Sequence, residues 1–146
     1  MQRIRKSVLV PYSAQEMFDL VESVEHYPEF LPWCGGTHVL ERRPDGKTAR
    51  LEIDYHGVRA HFTTDNVNRP PESIVITLRS GPFRHLHGEW RFLALDEQAC
   101  KIEFELAYEF ATQLLDRAIG PVFGHIANTF IDAFTRRAQA LYGPRL

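Results

Sequence analysis

Seven histidines, two cysteines and several spaced carboxylates are the groups with which this chain could do chemistry. His85 and His87 lie two apart, so on a strand they point the same way. Two ligands do not complete a zinc site, and no metal is expected. Cys34, beside Trp33, could be a nucleophile, but a lone cysteine in apolar company reads as a small buried hydrophobe. Asp54, Glu103 and Glu105 could act as paired acids and bases. Each alternates with apolar neighbours, which puts it on a wet face, and His56 and His61 flank a turn on that same face. No nucleophile elbow, phosphate loop or zinc-protease motif is present. Inward polar candidates reduce to Tyr55, Thr64, Asn66 and Tyr108, so no catalytic residue is assigned and a non-enzyme is expected.

The elements that would position these groups follow from periodicity. Residues 4–10 read as a strand, ended by Pro11, with Ser13 capping a helix that carries Met17, Leu20, Val21 and Val24 at helical spacing. His26, Tyr27 and Pro28 interrupt that helix, and a short apolar segment, 29–34, ends at Gly35 and Gly36. Alternation then predicts strands over 48–55, 58–67 and 73–79, a strand carrying Gly88, Trp90 and Phe92, and one carrying Ile102, Phe104, Leu106 and Tyr108. A tight turn is expected at His56-Gly57 and a weaker strand over 37–43. Strands in a run, without βαβ alternation, predict an α+β fold with an antiparallel sheet that has one dry face.

A long C-terminal helix must cover that face. Leu115, Ile119, Val122, Ile126, Phe130, Phe134, Ala138 and Leu141 recur at steps of three and four. Pro121 predicts a kink or break near Gly120.

Composition sets the outer bounds. The 146 residues suit one domain, 1–146. A net charge of -2 argues against a general nucleic-acid coat. Two cysteines without a spacing motif read as reduced thiols. Residues 1–10 lack the long apolar stretch of a signal peptide, and no segment is apolar enough to span a bilayer. A cytoplasmic protein is expected, with peripheral contact at the inner membrane face left open. The basic residues Arg3, Arg5, Lys6, Arg136, Arg137 and Arg145 could touch ribosomal RNA or anionic lipid, but solvated ends of a strand and a helix are the favoured reading.

One segment is more specific. Val24-Glu25-His26-Tyr27-Pro28-Glu29-Phe30-Leu31-Pro32-Trp33-Cys34 resembles the signature of the coenzyme Q-binding START-domain family. Gly81-Pro82-Phe83, then Leu86, Gly88, Trp90 and Phe92, resemble it too, as does the run from Phe134 to Gly143. Bacterial members are also called ribosome-association toxins or oligoketide cyclases. The resemblance implies a helix-grip fold, in which a curved antiparallel sheet wraps around the last helix. It implies a ubiquinone-like polyprenyl lipid as ligand, with no other cofactor, and a supporting role in respiration. A ribosomal subunit as partner is the alternative, and a polyketide cyclase the weaker one.

Ligand-binding positions are expected on both facing surfaces. From the loop come Phe30, Leu31 and Trp33, with Trp33 read as a solvent-facing ring at the pocket mouth. Strands contribute Phe62, Phe83, Leu86, Trp90 and Phe104. The helix contributes Ile119, Phe123, Gly124 and Ile126, with Gly120 and Gly124 either leaving a groove for a lipid tail or allowing close contact of helix and sheet.

Overall fold

The computed structural model describes residues 1–145. β1 (Gln2–Val10) turns at Pro11 into α1 (Ala14–Glu22). Ser13 caps α1 reciprocally: its hydroxyl accepts from the Glu16 amide at 3.0 Å, and its own amide donates to the Glu16 carboxylate at 2.9 Å. At the other end the Ser23 hydroxyl and amide both donate to the Asp19 carbonyl, and a 3₁₀ helix, Val24–Glu29, follows.

Six strands then run as a meander: β2 (Cys34–Arg43), β3 (Gly46–Tyr55), β4 (Val58–Arg69), β5 (Ser73–Ser80), β6 (Phe83–Asp96) and β7 (Ala99–Phe110). The β3–β4 turn has His56 at φ 50° and Gly57 at φ 79°, the doubly left-handed geometry that matches strand twist. The sheet order is β1-β7-β6-β5-β4-β3-β2, antiparallel throughout, so the first strand lies beside the last. Register shifts at Cys34/Gly36, Val39/Glu41, Thr63/Thr64, Phe83/His85 and Ala94/Asp96 add local twist, and the sheet curls. β2 starts three residues earlier than the alternation suggested. Gly35 and Gly36 belong to the strand, in the bulge, where a Cβ at Gly35 would lie 3.0 Å from that of Asp54.

α2 (Gln113–Tyr142) crosses the concave face and packs on β1, β4, β7 and α1. Thr112 caps its start and Gly143, at φ 83°, its end. The expected break at Gly120–Pro121 does not occur, and α2 is one helix of 30 residues. Proline removes only one amide from the ladder, its ring faces solvent, and the preceding glycine has no Cβ to crowd it. The phase of the helix also differs from expectation. Its buried face is Ile119, Phe123, Ile126, Ala127, Ile131, Phe134 and Ala138. Leu115, Val122 and Phe130 are half-buried, and Leu141 is 53% exposed.

Candidate functional site

Strand parity builds one wall of an internal cavity. Leu51 on β3, Phe62, Thr64 and Asn66 on β4, Ile76 on β5, Leu86 on β6, and Phe104 and Leu106 on β7 all point inward. α2 closes the opposite side with Phe123, Ile126, Ala127 and Phe130. Val24 and Tyr27 of the 3₁₀ helix, with Trp33, form the end. The void is about 70 Å³, or about 580 Å³ when the gaps between side chains and the open mouth are counted.

Two rings of α2 hold the cavity in shape. Phe123 packs edge-on against Phe62, Phe83 and Tyr108, with centroids 6.0, 4.9 and 4.8 Å away. Phe130, two turns on, meets Trp33, Trp90 and Phe104 at 5.7–5.9 Å. Such pairs prefer this edge-on or tilted geometry.

Of the twelve positions expected from sequence, Trp33, Phe62, Leu86, Phe104, Phe123 and Ile126 line the cavity. The other six do not. Phe83 is buried just behind it, stacked on Phe110 at 4.8 Å. Leu31 and Trp90 are deeper core, and the Trp90 indole nitrogen is buried without an acceptor among the described residues. Ile119 is buried beside a surface cleft with Gly81 and Pro82. Phe30 faces a surface groove instead, under the Arg137 guanidinium at 4.9 Å. Gly124 is not among the residues lining the cavity; a Cβ there would make one ordinary contact, 3.8 Å from the Tyr108 hydroxyl. Trp33 is also corrected in one respect: it is 5% exposed and packed on Phe130, so it is a lid ring and does not face solvent. Val24, Tyr27, Leu51, Ile76, Leu106 and Ala127 were not singled out as ligand positions, although inward parity marks Leu51, Ile76 and Leu106.

The wall carries no carboxylate, histidine or lysine among the described residues. Tyr27 donates its hydroxyl to the Val21 carbonyl, and burial pushes its ionisation far up. Thr64, 2% exposed, donates to the Asn66 side-chain oxygen at 2.9 Å. Burial raises the Cys34 thiol to about 11, despite its contact with the Gly36 carbonyl. That thiol is protonated at neutral pH and is a poor nucleophile. His85, His87, Asp54, Glu103 and Glu105 all lie on the outer face, and no metal-holding cluster is found among the described residues.

The lid is tied down by charge. Lys47, only 3% exposed, places its ammonium 2.7 Å from Glu22 and 2.9 Å from Glu25, and donates to the Glu22 carbonyl. Arg42 also binds Glu25, and Arg137 binds Glu29, each at 2.9 Å. Arg145 grips Glu16 through two bonds of 2.7 and 3.0 Å over the Tyr12 ring. Arg137 and Arg145, two members of the basic cluster, are therefore engaged inside the molecule.

An antiparallel sheet curled around one long helix is a fold found in solved structures as well. Residues 10–135 match the family described as polyketide cyclase / dehydrase and lipid transport. The chain belongs to that family. Among its relatives, the ribosome association toxin RatA of Pseudomonas aeruginosa is 46% identical over 96% of this chain and 97% of its own length. The mitochondrial coenzyme Q-binding protein COQ10 homolog B of Xenopus laevis is 26% identical, over 94% of this chain and 58% of that protein. The Zhui aromatase/cyclase from Streptomyces sp. R1128 superposes with a TM-score of 0.78 at 18% identity, covering 94% and 93% of the two chains, a likeness of fold alone.

Proposed function

We propose that this protein is a binding module that holds an apolar small molecule, of the polyprenyl quinone kind, between α2 and the sheet. The observation that carries this is a cavity walled by aromatic and aliphatic side chains, save Thr64 and Asn66, with no carboxylate, histidine, lysine or metal-holding cluster among the described residues. Binding without turnover is the activity such a wall supports. The coenzyme Q-binding relative lends the ligand class, at 26% identity.

At about 70 Å³ the void is smaller than the ~150 Å³ that takes a benzene. A ligand must therefore part the rings of Phe130, Trp33 and Phe123 to enter. Each buried methylene of a tail then contributes about 0.8 kcal/mol, so a few isoprene units offset that opening. Mass spectrometry of an organic extract from freshly purified protein, with calorimetric titration of short-tailed ubiquinones, tests the proposal. A prenylated quinone or a saturable isotherm supports it, and an empty extract with no heat of binding removes it.

A second reading, action on the joining of ribosomal subunits, is favoured by the 46% identity to the ribosome association toxin over nearly all of both chains. That likeness puts a ribosomal subunit ahead of a membrane as the macromolecular partner. The net charge of -2 argues for contact through a small patch and not through a general basic coat. Sucrose gradients after stoichiometric addition to ribosomes decide it: loss of joined subunits supports the reading, and an unchanged profile removes it.

A further inference from the structure

We propose that the Thr64–Asn66 pair is the specificity point of the cavity and selects a ring-bearing ligand with an oxygen acceptor, such as a carbonyl or ether, over a pure hydrocarbon. The inference rests on the apolar-ligand reading above and deepens it.

Both residues are on β4, two apart, so both point inward, and both line the cavity. The cavity wall there also carries Phe62, Leu51 and Ile76, and across the ladder from Asn66 stands Lys47, whose ammonium is taken up by Glu22 and Glu25. A hydroxyl and a carboxamide in such company have a consequence for binding, because an apolar ligand that covers a polar group without pairing it loses the hydration of that group. Their mutual bond satisfies only part of the pair. Thr64 Oγ1 uses its single proton on Asn66 Oδ1, at 2.9 Å. This fixes the carboxamide and leaves its Nδ2, with two N–H donors, without a protein hydrogen-bond partner among the described residues; Asn66 is half-buried, so the group stays accessible from the cavity. Asn66 cannot turn away freely: its backbone is locked between Lys47 on β3 and Ile76 on β5, and its carbonyl accepts from Arg43.

The result is a fixed donor at an otherwise greasy wall. A carbonyl or ether oxygen of a ligand would take that N–H, and the Thr64 bond would hold the donor ready. A hydrocarbon of the same shape would leave it unpaired. Sites built this way discriminate by the penalty of the unpaired group as much as by the bond formed.

Acetophenone and α-methylstyrene have the same shape and differ by C=O against C=CH2. Each is titrated by NMR into the wild-type protein and into Asn66→Leu, with amide shifts around the cavity as readout. The ratio of the two affinities, compared between proteins, cancels the general preference for the more apolar probe. The expected result is a ratio displaced about five- to tenfold toward the hydrocarbon in Asn66→Leu, the worth of one buried hydrogen bond. Thr64→Val, which keeps the shape but frees the carboxamide, should displace it in the same direction by less. An unchanged ratio in Asn66→Leu, with both probes bound by the wild type, overturns this inference and leaves the apolar-ligand reading standing. Should Asn66→Leu not fold, an unchanged ratio in Thr64→Val does the same. Binding of neither probe to the wild type overturns the apolar-ligand reading itself, and this inference with it.

Discussion

Gly124→Ala separates a glycine kept for a ligand from one that is merely tolerated. Gly124 lies in the interior of α2, where its carbonyl accepts from the Asn128 side chain at 2.8 Å. A methyl group added there meets one neighbour, the Tyr108 hydroxyl at 3.8 Å, which is ordinary contact. Alanine in place of an interior helical glycine is worth about 1 kcal/mol, so the variant should gain ~0.5–1 kcal/mol. For a chain of this length that raises the melting temperature by about 2–4 °C. Because Gly124 is not part of the cavity wall, ligand affinity should stay within about twofold. Scanning calorimetry and a parallel probe titration measure both quantities. A fall in melting temperature would show that the backbone at Gly124 needs glycine for close packing on β7. Unchanged stability with a tenfold loss of affinity would restore the groove. Gly120 makes a useful contrast: its added methyl would sit 2.5 Å from Asp116 Oδ1, so that side chain must swing away and the gain should be smaller.

Trp33→Ala should destabilise the fold by about 3–5 kcal/mol, because a buried ring leaves a hole beside Phe130; a drop under ~0.5 kcal/mol in urea denaturation would place the ring at an open mouth. Cys34, with its thiol pushed up to about 11, should react with iodoacetamide at pH 7.5 about a hundredfold more slowly in the native protein than in urea, and peptide mass spectrometry reads the difference. Hydrogen bonding from Arg145 outweighs burial and lowers the Glu16 carboxyl to about 2, below its unfolded value of 4.5. Its stabilisation is thus complete above pH 4.5 and fades as pH falls toward 2, so the stability gap between wild type and Arg145→Ala should narrow over that window; a gap independent of pH would contradict the pairing.

Strand parity was the most legible feature of this sequence. β3 and β7 alternate cleanly, as in Ala49, Leu51, Ile53 and Ile102, Phe104, Leu106, because one face is dry and the other wet. The helix was legible as a helix but not in its phase. Val122, Phe123, Ile126, Ala127, Phe130 and Ile131 are apolar at both three- and four-residue steps, so two stripes fit the same letters. Only contact with the sheet chooses between them. The direction of Trp33 could not be read, since a loop has no period to fix which way a ring points. Lys47 was invisible for another reason. A lysine reads as solvated, and its acidic partners, Glu22 and Glu25, stand on a different element and meet it only when the chain folds. Nor could the partners of Arg137 and Arg145 be read, since Glu29 and Glu16 stand far off in the chain and pair with them at the surface.

The pairing of the first strand with the last has a consequence for how the protein comes into being on the translating ribosome. β1 has no partner until β7 exists, for Val10 must find Cys100 and Gln2 must find Tyr108. Tyr12 waits longer still, since its hydroxyl donates to the carbonyl of Gly143, 131 residues away. At roughly 5–20 residues per second, that wait is on the order of ten seconds. During it the β2–β6 meander can zip from one hairpin to the next, while β1 and the apolar face of α1 stand unclosed. Arg3, Arg5 and Lys6 guard the strand through this interval, because charges along an unpaired edge keep it from joining another nascent chain. The end of α2 then acts as the clasp, where the Gly143 carbonyl accepts from Tyr12 and the Tyr142 hydroxyl donates to the Glu16 carbonyl of α1.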